Sequence, residues 1–328
     1  MSLDAVVVGA GLMGRWHAYE IARVGGRVVA VVDPDLERAR DLAARAGDAV
    51  AVPDLDDVPA GADVVHVCTP SGTHESLVER ALDGGRHVLV EKPLAADVEA
   101  TERLVGSARD RGLLLGAVHQ FPFQPGVGRL LRGRDRIGRL LHLVGEARSA
   151  GAEGRPADEK DRIALEILPH FLSLARRFLS ASFGGAEWRA SRTVPGELVM
   201  TGEAEGVGIH LLVSMGGRPP VNEWRAIGSD GSGRADLFHG HAVFEPGGTS
   251  RGWKVARPFA LGGVGLAGAA GNLLGRTIRR QPAYPGLREL IGAFHGAADR
   301  GAPSPVPADE IVEVARALDR IGALCGLA

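Results

Sequence analysis

Over its first 120 residues the chain alternates short apolar runs with amphipathic stretches, and this rhythm narrows the choice of fold more than any other feature. Ala5–Val8, Val28–Val32, Val64–Val67, His87–Val90 and Leu113–Ala117 are apolar and mostly β-branched. Runs of that length and composition predict buried parallel strands. Between them, Leu12–Val24, Asp35–Ala46, His74–Asp83 and Asp97–Arg111 carry helical patterning. Asp97 suits an N-cap, and Gly112 stands where a helix should stop. Strand and helix in turn imply βαβ units and a doubly wound parallel sheet.

After about residue 120 the rhythm changes. Gln124–Arg134 and Ile163–Leu179 read as helices and Leu140–Ser149 as a strand, with a loop around Gly151–Glu159. From Ala186 to Phe244, six strand-like runs follow one another across Gly and Pro turns: Glu187–Arg192, Gly196–Gly202, Val207–Val213, Glu223–Ile227, Ala235–Phe238 and Ala242–Phe244. Strands in series without intervening helices imply an antiparallel sheet. Two helices, Leu287–Arg300 and Ala308–Leu324, close the chain. A length of 328 residues suits two domains, divided here as 1–120 and 121–328.

Composition removes several classes. With Lys+Arg at 38 and Asp+Glu at 40, the net charge of −2 lacks the basic excess that nucleic acid demands. Cys68 and Cys325 cannot make a disulfide framework, which fits a reducing cytoplasm. The start, MSLDAVVVGAG, lacks the basic region of a signal peptide. Pro258–Gly275 carries no charge over 18 residues, but its many glycines suit a packed segment at a subunit or domain contact better than a membrane span. No membrane partner is expected.

Gly9-Ala10-Gly11-Leu12-Met13-Gly14 matches G-x-G-x-x-G. Glycine fills 47 of 328 positions, about twice the usual share of about 7%, so the pattern alone says little. Gly263–Gly268 matches it as well. Context separates the two. The first match follows a strand, opens a helix, and is followed by a second strand ending at Asp33, 19 residues beyond Gly14; the second match follows no strand. In the first, Gly9 permits the tight turn, Gly11 lets a pyrophosphate approach the backbone, and Gly14 brings helix and sheet together. Leu12 and Met13 open the helix whose N-terminal N–H groups bind phosphate. Asp33 can accept bonds from a ribose diol and would repel a 2′-phosphate, favouring NAD over NADP unless Arg38 or Arg40 offsets it.

Further motifs follow the later strands. They are His17 behind the glycine loop, Cys68-Thr69-Pro70-Ser71-Gly72-Thr73-His74, Glu91-Lys92-Pro93, and His119-Gln120-Phe121-Pro122-Phe123-Gln124-Pro125. In this order the chain resembles the glucose–fructose oxidoreductase/inositol dehydrogenase/rhizopine catabolism (Gfo/Idh/MocA) family. The resemblance implies an N-terminal Rossmann domain, then an α/β substrate-binding and oligomerisation domain with a large, open, mostly antiparallel sheet. It implies NAD or NADP as cofactor, and a sugar, nucleotide-sugar or cyclitol as substrate. The family's catalytic lysine maps to Lys92. Its Asp-x-x-x-His pair maps to Glu166 and His170, with glutamate in place of aspartate, and the glycine common within that motif is Leu168.

The residues support the same chemistry on their own terms. Lys92 follows a strand and so lies at the carboxyl edge of the sheet, where open α/β folds bind ligands. Only three of the 38 basic residues are lysine, so its position there is not cheap. Pro93 fixes the local backbone and suits a cis bond. Glu166 and His170 stand four apart and share a helix face, where a carboxylate can orient an imidazole. An alcohol gives up hydride only as its proton leaves, so His170 is expected to take the proton and Lys92 to stabilise the oxygen, or the reverse. Thr69, Pro70, His74, Glu91 and His119 are expected to border the cofactor. His239 and His241 lack further ligands, so no metal is expected, and Cys68 has no evident base. The competing readings are an NAD-dependent glycosidase of the same fold and a non-catalytic dinucleotide-sensing regulator. The open sheet should expose an apolar face in a monomer, which predicts a homodimer or homotetramer.

Overall fold

Valine builds the first sheet. A computed structural model, which describes residues 3–47, 49–179, 182–183, 185–248, 250–281 and 283–327, gives the elements β1 (Asp4–Val8), α1 (Leu12–Arg23), β2 (Arg27–Val32), α2 (Leu36–Arg45), β3 (Val50–Val52), β4 (Val64–Val67), α3 (His74–Asp83), β5 (His87–Val90), α4 (Val98–Asp110) and β6 (Leu115–Ala117). All four residues of β4 are buried, as are the last four of β1. Such strands bury both faces, as parallel sheets require. Their order is β3-β2-β1-β4-β5-β6, and every neighbouring pair is parallel. This is the Rossmann order, reversing direction between β1 and β4, where ligands bind beyond the carboxyl ends. Asp97 caps α4 through a bond from the Ala100 N–H, and Gly112 follows the helix at φ +67°. β3 is absent from the sequence reading: three residues ending at Pro53 are too short to show a period.

The second unit comprises Gln120–Gly286 and Ala317–Ala328. It contains α5 (Pro125–Arg132), β7 (Leu140–Arg148), α6 (Ala157–Phe178), β8 (Arg189–Arg192), β9 (Glu197–Ala204), β10 (Val207–Ser214), β11 (Val221–Gly228), β12 (Gly231–Asp236), β13 (His241–Pro246) and α7 (Arg251–Arg279). The seven strands run β13-β12-β11-β7-β10-β9-β8, antiparallel except for the central pair β7 and β10. Val207, Ile209, Leu211 and Val213 of β10 are buried, while His210 between them is exposed. One face thus carries the core and the other is more polar. α6 packs on the core face: Gly145 of β7 leaves room for Phe171, whose ring would lie 2.7 Å from a Cβ there. Phe171 in turn stacks on the fully buried Trp224 of β11 at 6.2 Å.

One element boundary is corrected, and one reading is borne out. α6 starts at Ala157, not Ile163, because Asp158 and Glu159 fall in its first turn, where carboxylates favour the positive helix end. The loop is therefore confined to residues before it. The uncharged run Pro258–Gly275 lies wholly inside α7, so the second glycine fingerprint is interior helix, not a strand-to-helix turn.

The last helices are α8 (Leu287–Arg300) and α9 (Ala308–Leu324). The first compact unit consists of Met1–His119 together with Leu287–Arg316, so part of the chain assigned by sequence to a domain 121–328 belongs with the N-terminal sheet. Glu20 of α1, 1% exposed, accepts a bond from Arg288 Nε at 2.5 Å. Phe294 closes on Gly116 of β6, where a Cβ would stand 2.9 Å from its ring.

Candidate functional site

At the carboxyl end of β1 the glycines do what their positions demand. Gly9 adopts φ +97°, and a Cβ there would lie 2.8 Å from the Cys68 carbonyl oxygen. A Cβ on Gly14 would stand 1.8 Å from the Gly9 oxygen, so no larger residue fits. Beside Gly11 nothing lies within 4 Å. Gly11 is also the N-cap of α1, and no side chain caps that helix. An open approach to uncapped helix N–H groups suits a pyrophosphate. Leu12 is exposed and Met13 half-buried at the same turn.

Asp33 reaches back to this loop. Its Oδ2 accepts from the Ala10 N–H at 2.8 Å and its Oδ1 from the Asp35 N–H at 2.9 Å. The cap of α2 is Asp35, which accepts from Glu37 and Arg38. Asp33 therefore joins the end of β2 to the glycine loop, and its carboxylate retains lone pairs for a ribose diol. Open glycine, uncapped helix and strand-end carboxylate together fit a dinucleotide.

The ends of β4 and β5 are tied together by His74. Its ring is 1% exposed, with Nδ1 2.7 Å from the Pro93 carbonyl oxygen and Nε2 2.9 Å from that of Thr69. Thr73 Oγ1 donates to Thr69 Oγ1 at 2.7 Å. His74 thus braces the Thr69-Pro70 turn against the Lys92-Pro93 turn, whose peptide bond is cis. Lys92 itself is half-buried. Sequence reasoning placed His74 against the cofactor; the described contacts of its ring are to the backbone of the two turns.

Against Glu91 lies a column of buried imidazoles that the sequence reading missed, apart from its first member. His17 Nε2 is 3.2 Å from Glu91 Oε1, His17 Nδ1 2.9 Å from His66 Nδ1, and His66 Nε2 2.8 Å from His295 Nε2. With the Glu91 carboxylate accepting, His17 donates from Nε2, and each later contact joins two ring nitrogens, one of which must donate. The column ends at His295 Nδ1, which has no hydrogen-bond partner among the described residues. Burial holds His66 well below the usual imidazole range, reinforced by His295 and His17. Burial likewise lowers His295 to about 4, with His17 adding to the shift and Asp63 opposing it. The signal available in sequence was a histidine within an otherwise all-valine strand, Val64-Val65-His66-Val67.

Cys68 lies beyond β4, and burial together with the nearby Glu91 charge raises its thiol well above the usual range. That makes it a poor nucleophile. His119 is 2% exposed, with Nδ1 3.2 Å from Glu310 Oε1.

In the second unit, Glu166 and His170 stand one turn apart on α6. Arg162 Nη1 donates to Glu166 Oε1 at 2.8 Å, and the His170 ring stacks on Phe121 at 4.3 Å and 16°. Leu168, where the resemblance favours glycine, is fully buried. His239 pairs with Asp236, and no group of three or more His, Cys, Asp or Glu among the described residues is arranged to hold a metal ion.

Residues 3–119 match the profile of the Gfo/Idh/MocA oxidoreductases, described as having an NAD-binding Rossmann fold. A UDP-N-acetylglucosamine 3-dehydrogenase of Acidithiobacillus ferrooxidans is 37% identical over 113 residues, 34% of this chain and 36% of that one. An inositol 2-dehydrogenase of Burkholderia cenocepacia is 34% identical over 197 residues, 57% of each chain. The chain thus matches between 36% and 57% of these relatives' length. The solved structure of the Acidithiobacillus ferrooxidans enzyme superposes with a TM-score of 0.78 at 20% identity, covering 99% of this chain and 98% of that one. At that identity the likeness shows the fold.

Proposed function

We propose that this protein, whose residues 3–119 match the Gfo/Idh/MocA oxidoreductase profile, is an NAD-dependent dehydrogenase acting on a secondary alcohol of a sugar, nucleotide-sugar or cyclitol. The observation that carries the reading is the junction of β1, β2 and α1, where an open Gly11, an uncapped helix start and Asp33 meet at the sheet's switch point. NAD, when bound, supplies the hydride acceptor. Gly9, Gly11, Leu12, Met13 and Gly14 hold its pyrophosphate, Asp33 its adenosine ribose, and the turns of Thr69-Pro70 and Glu91-Lys92 flank it. Asp33 favours NAD over NADP by charge.

Lys92 hydrogen-bonds the substrate oxygen and stabilises negative charge as the proton leaves. His170 accepts that proton, and Glu166 supports its charged form from one helical turn away. The second unit binds substrate and carries the contacts of a homodimer or homotetramer. Two free cysteines fit a cytoplasmic location.

The test is a panel of sugars, nucleotide-sugars and cyclitols followed by NADH absorbance. One compound should release NADH with turnover, and Lys92→Met and His170→Ala should each lower kcat/KM by at least about 10²-fold. Turnover of a glycoside without net NADH would support the glycosidase reading, and full activity in both variants would remove the proposed roles.

A further inference from the structure

α7 is unlike the other α-helices among the described residues. None of its 29 residues is buried. Val255, Phe259, Leu266, Leu273, Leu274 and Ile278 are between 63% and 81% exposed. At 3.6 residues per turn, Val255, Phe259, Leu266 and Leu273 fall within a band of about 40°. Leu274 and Ile278 extend the apolar face on one side only. Arg251, Lys254, Arg257, Arg276 and Arg279 all lie on the remaining arc, with Arg251 and Arg276 bordering the apolar face. No acidic residue occurs between Glu245 and Glu289. A chain of net charge −2 has thus gathered six basic residues, from Arg251 to Arg280, around one apolar strip.

Neither propensity nor packing explains why the strip is helical. Glycines and Pro258 weaken a helix interior, and most helices owe their stability to a buried face. α7 buries none in this chain, so its apolar side is built to be covered by something else.

The contacts of α7 show how it lies. Arg257 Nη2 donates to Glu245 Oε2 of β13 at 2.9 Å, and Asn272 Nδ2 donates to the His239 carbonyl oxygen at 2.7 Å. Between them, a Cβ on Gly268 would stand 3.7 Å from Val243 of β13. The helix is fastened along its length to its own unit and cannot stand across a bilayer. A second copy is a poor occupant as well: paired in parallel or antiparallel, two such helices bring basic end against basic end with no acidic group to answer. An anionic surface reverses that sign. Basic residues flanking an apolar face rich in Leu and Phe form the pattern of a helix lying in the membrane interface.

We propose that α7 is an in-plane membrane-binding helix that docks this protein on bilayers rich in anionic phospholipid, with Val255, Phe259, Leu266 and Leu273 entering the acyl boundary and Arg251 and Lys254, near its N-terminal end, engaging the phosphates. This departs from the expectation of a protein without a membrane partner, and it is independent of the dehydrogenase reading.

The full-length protein is mixed with phosphatidylglycerol–phosphatidylcholine vesicles, or with phosphatidylcholine vesicles alone, and followed by flotation. It should float with the first, weaken as salt rises, and bind the second poorly. F259E/L266E/L273E should lower binding at least about a hundredfold, with NADH binding unchanged. R251Q/K254Q should lower it roughly 25-fold, at about fivefold per charge removed, and flatten the salt dependence. A separate F259W variant, which leaves the apolar face intact, should shift its emission to the blue on phosphatidylglycerol vesicles. The proposal is overturned if the wild type does not float, if it floats equally with both vesicles, or if F259W emission is unmoved. It is equally overturned if the triple variant converts a dimer to a monomer while the wild type ignores vesicles, since the helix then joins two copies.

Discussion

His295 is held neutral by its surroundings, and this sets a pH dependence on the fold. An unfolded histidine takes up its proton near about pH 6.5, whereas His295 in the folded chain does so only at about 4. Between those values the unfolded state binds more protons. Stability is therefore complete above the upper value and falls as pH drops through the window, by about 1.4 kcal/mol per pH unit for each proton concerned. His66 is shifted in the same direction and steepens the slope. Urea midpoints of the wild type should fall between pH 6.5 and 5 on this account, and those of His295→Asn should fall less; equal slopes would place the titration elsewhere. Asp33 carries a second expectation. It accepts from Ala10 and from Asp35, so Asp33→Ala removes two charge-assisted bonds as well as the ribose acceptor. NAD affinity should drop about tenfold to a hundredfold and discrimination against NADP should narrow, as titration of both cofactors would show; tighter NADP binding by the wild type would reverse the assignment. Asp33 was legible because motif spacing marks it. His66 and His295 were not, because 229 positions separate two residues whose Nε2 atoms stand 2.8 Å apart.

At the scale of elements, the glycine loop and α6 show what pattern reading can and cannot reach. Gly14 sits where a Cβ would stand 1.8 Å from the Gly9 carbonyl oxygen. Gly14→Ala must therefore push α1 off β1, and NAD binding should be lost while Gly11→Ala, beside open space, keeps the fold and loses affinity alone. Thermal melts with and without NAD separate the two effects. The glycine loop, the parallel strands and the antiparallel series were readable because local periodicity and turn residues define them. β3 was too short to carry a period. α6 was read six residues short because its start is set by first-turn carboxylates, not by apolar spacing. Arg162, one turn before Glu166, was within reach of helical spacing, whereas the partner of His170 was not, because Phe121 meets it from 49 positions away. Composition marked the glycine-rich run as apolar, whereas its exposure along α7 depends on how β13 holds the helix.

At the scale of the whole molecule, the chain leaves the first compact unit at His119 and returns to it at Leu287. The returning segment is structural to that unit. Arg288 meets the buried Glu20, Phe294 fills the space over Gly116, and His295 completes the imidazole column. Without it, a carboxylate that is 1% exposed loses its described cation, and the apolar surface formed by Ile21, Leu89 and Gly116 opens to water. Uncovering a buried charge and its apolar surround is costly, about 3–5 kcal/mol for a broken buried pair alone, against a total domain stability of about 5–15 kcal/mol. A fragment of residues 1–119 should therefore melt without cooperativity and bind NAD weakly. The same fragment joined by a flexible linker to residues 287–316 should regain a single sharp transition and NAD-dependent stabilisation in calorimetry. A cooperative, NAD-binding fragment 1–119 would show that the N-terminal sheet is self-sufficient and that the return crossing serves only to place the second unit's chain end.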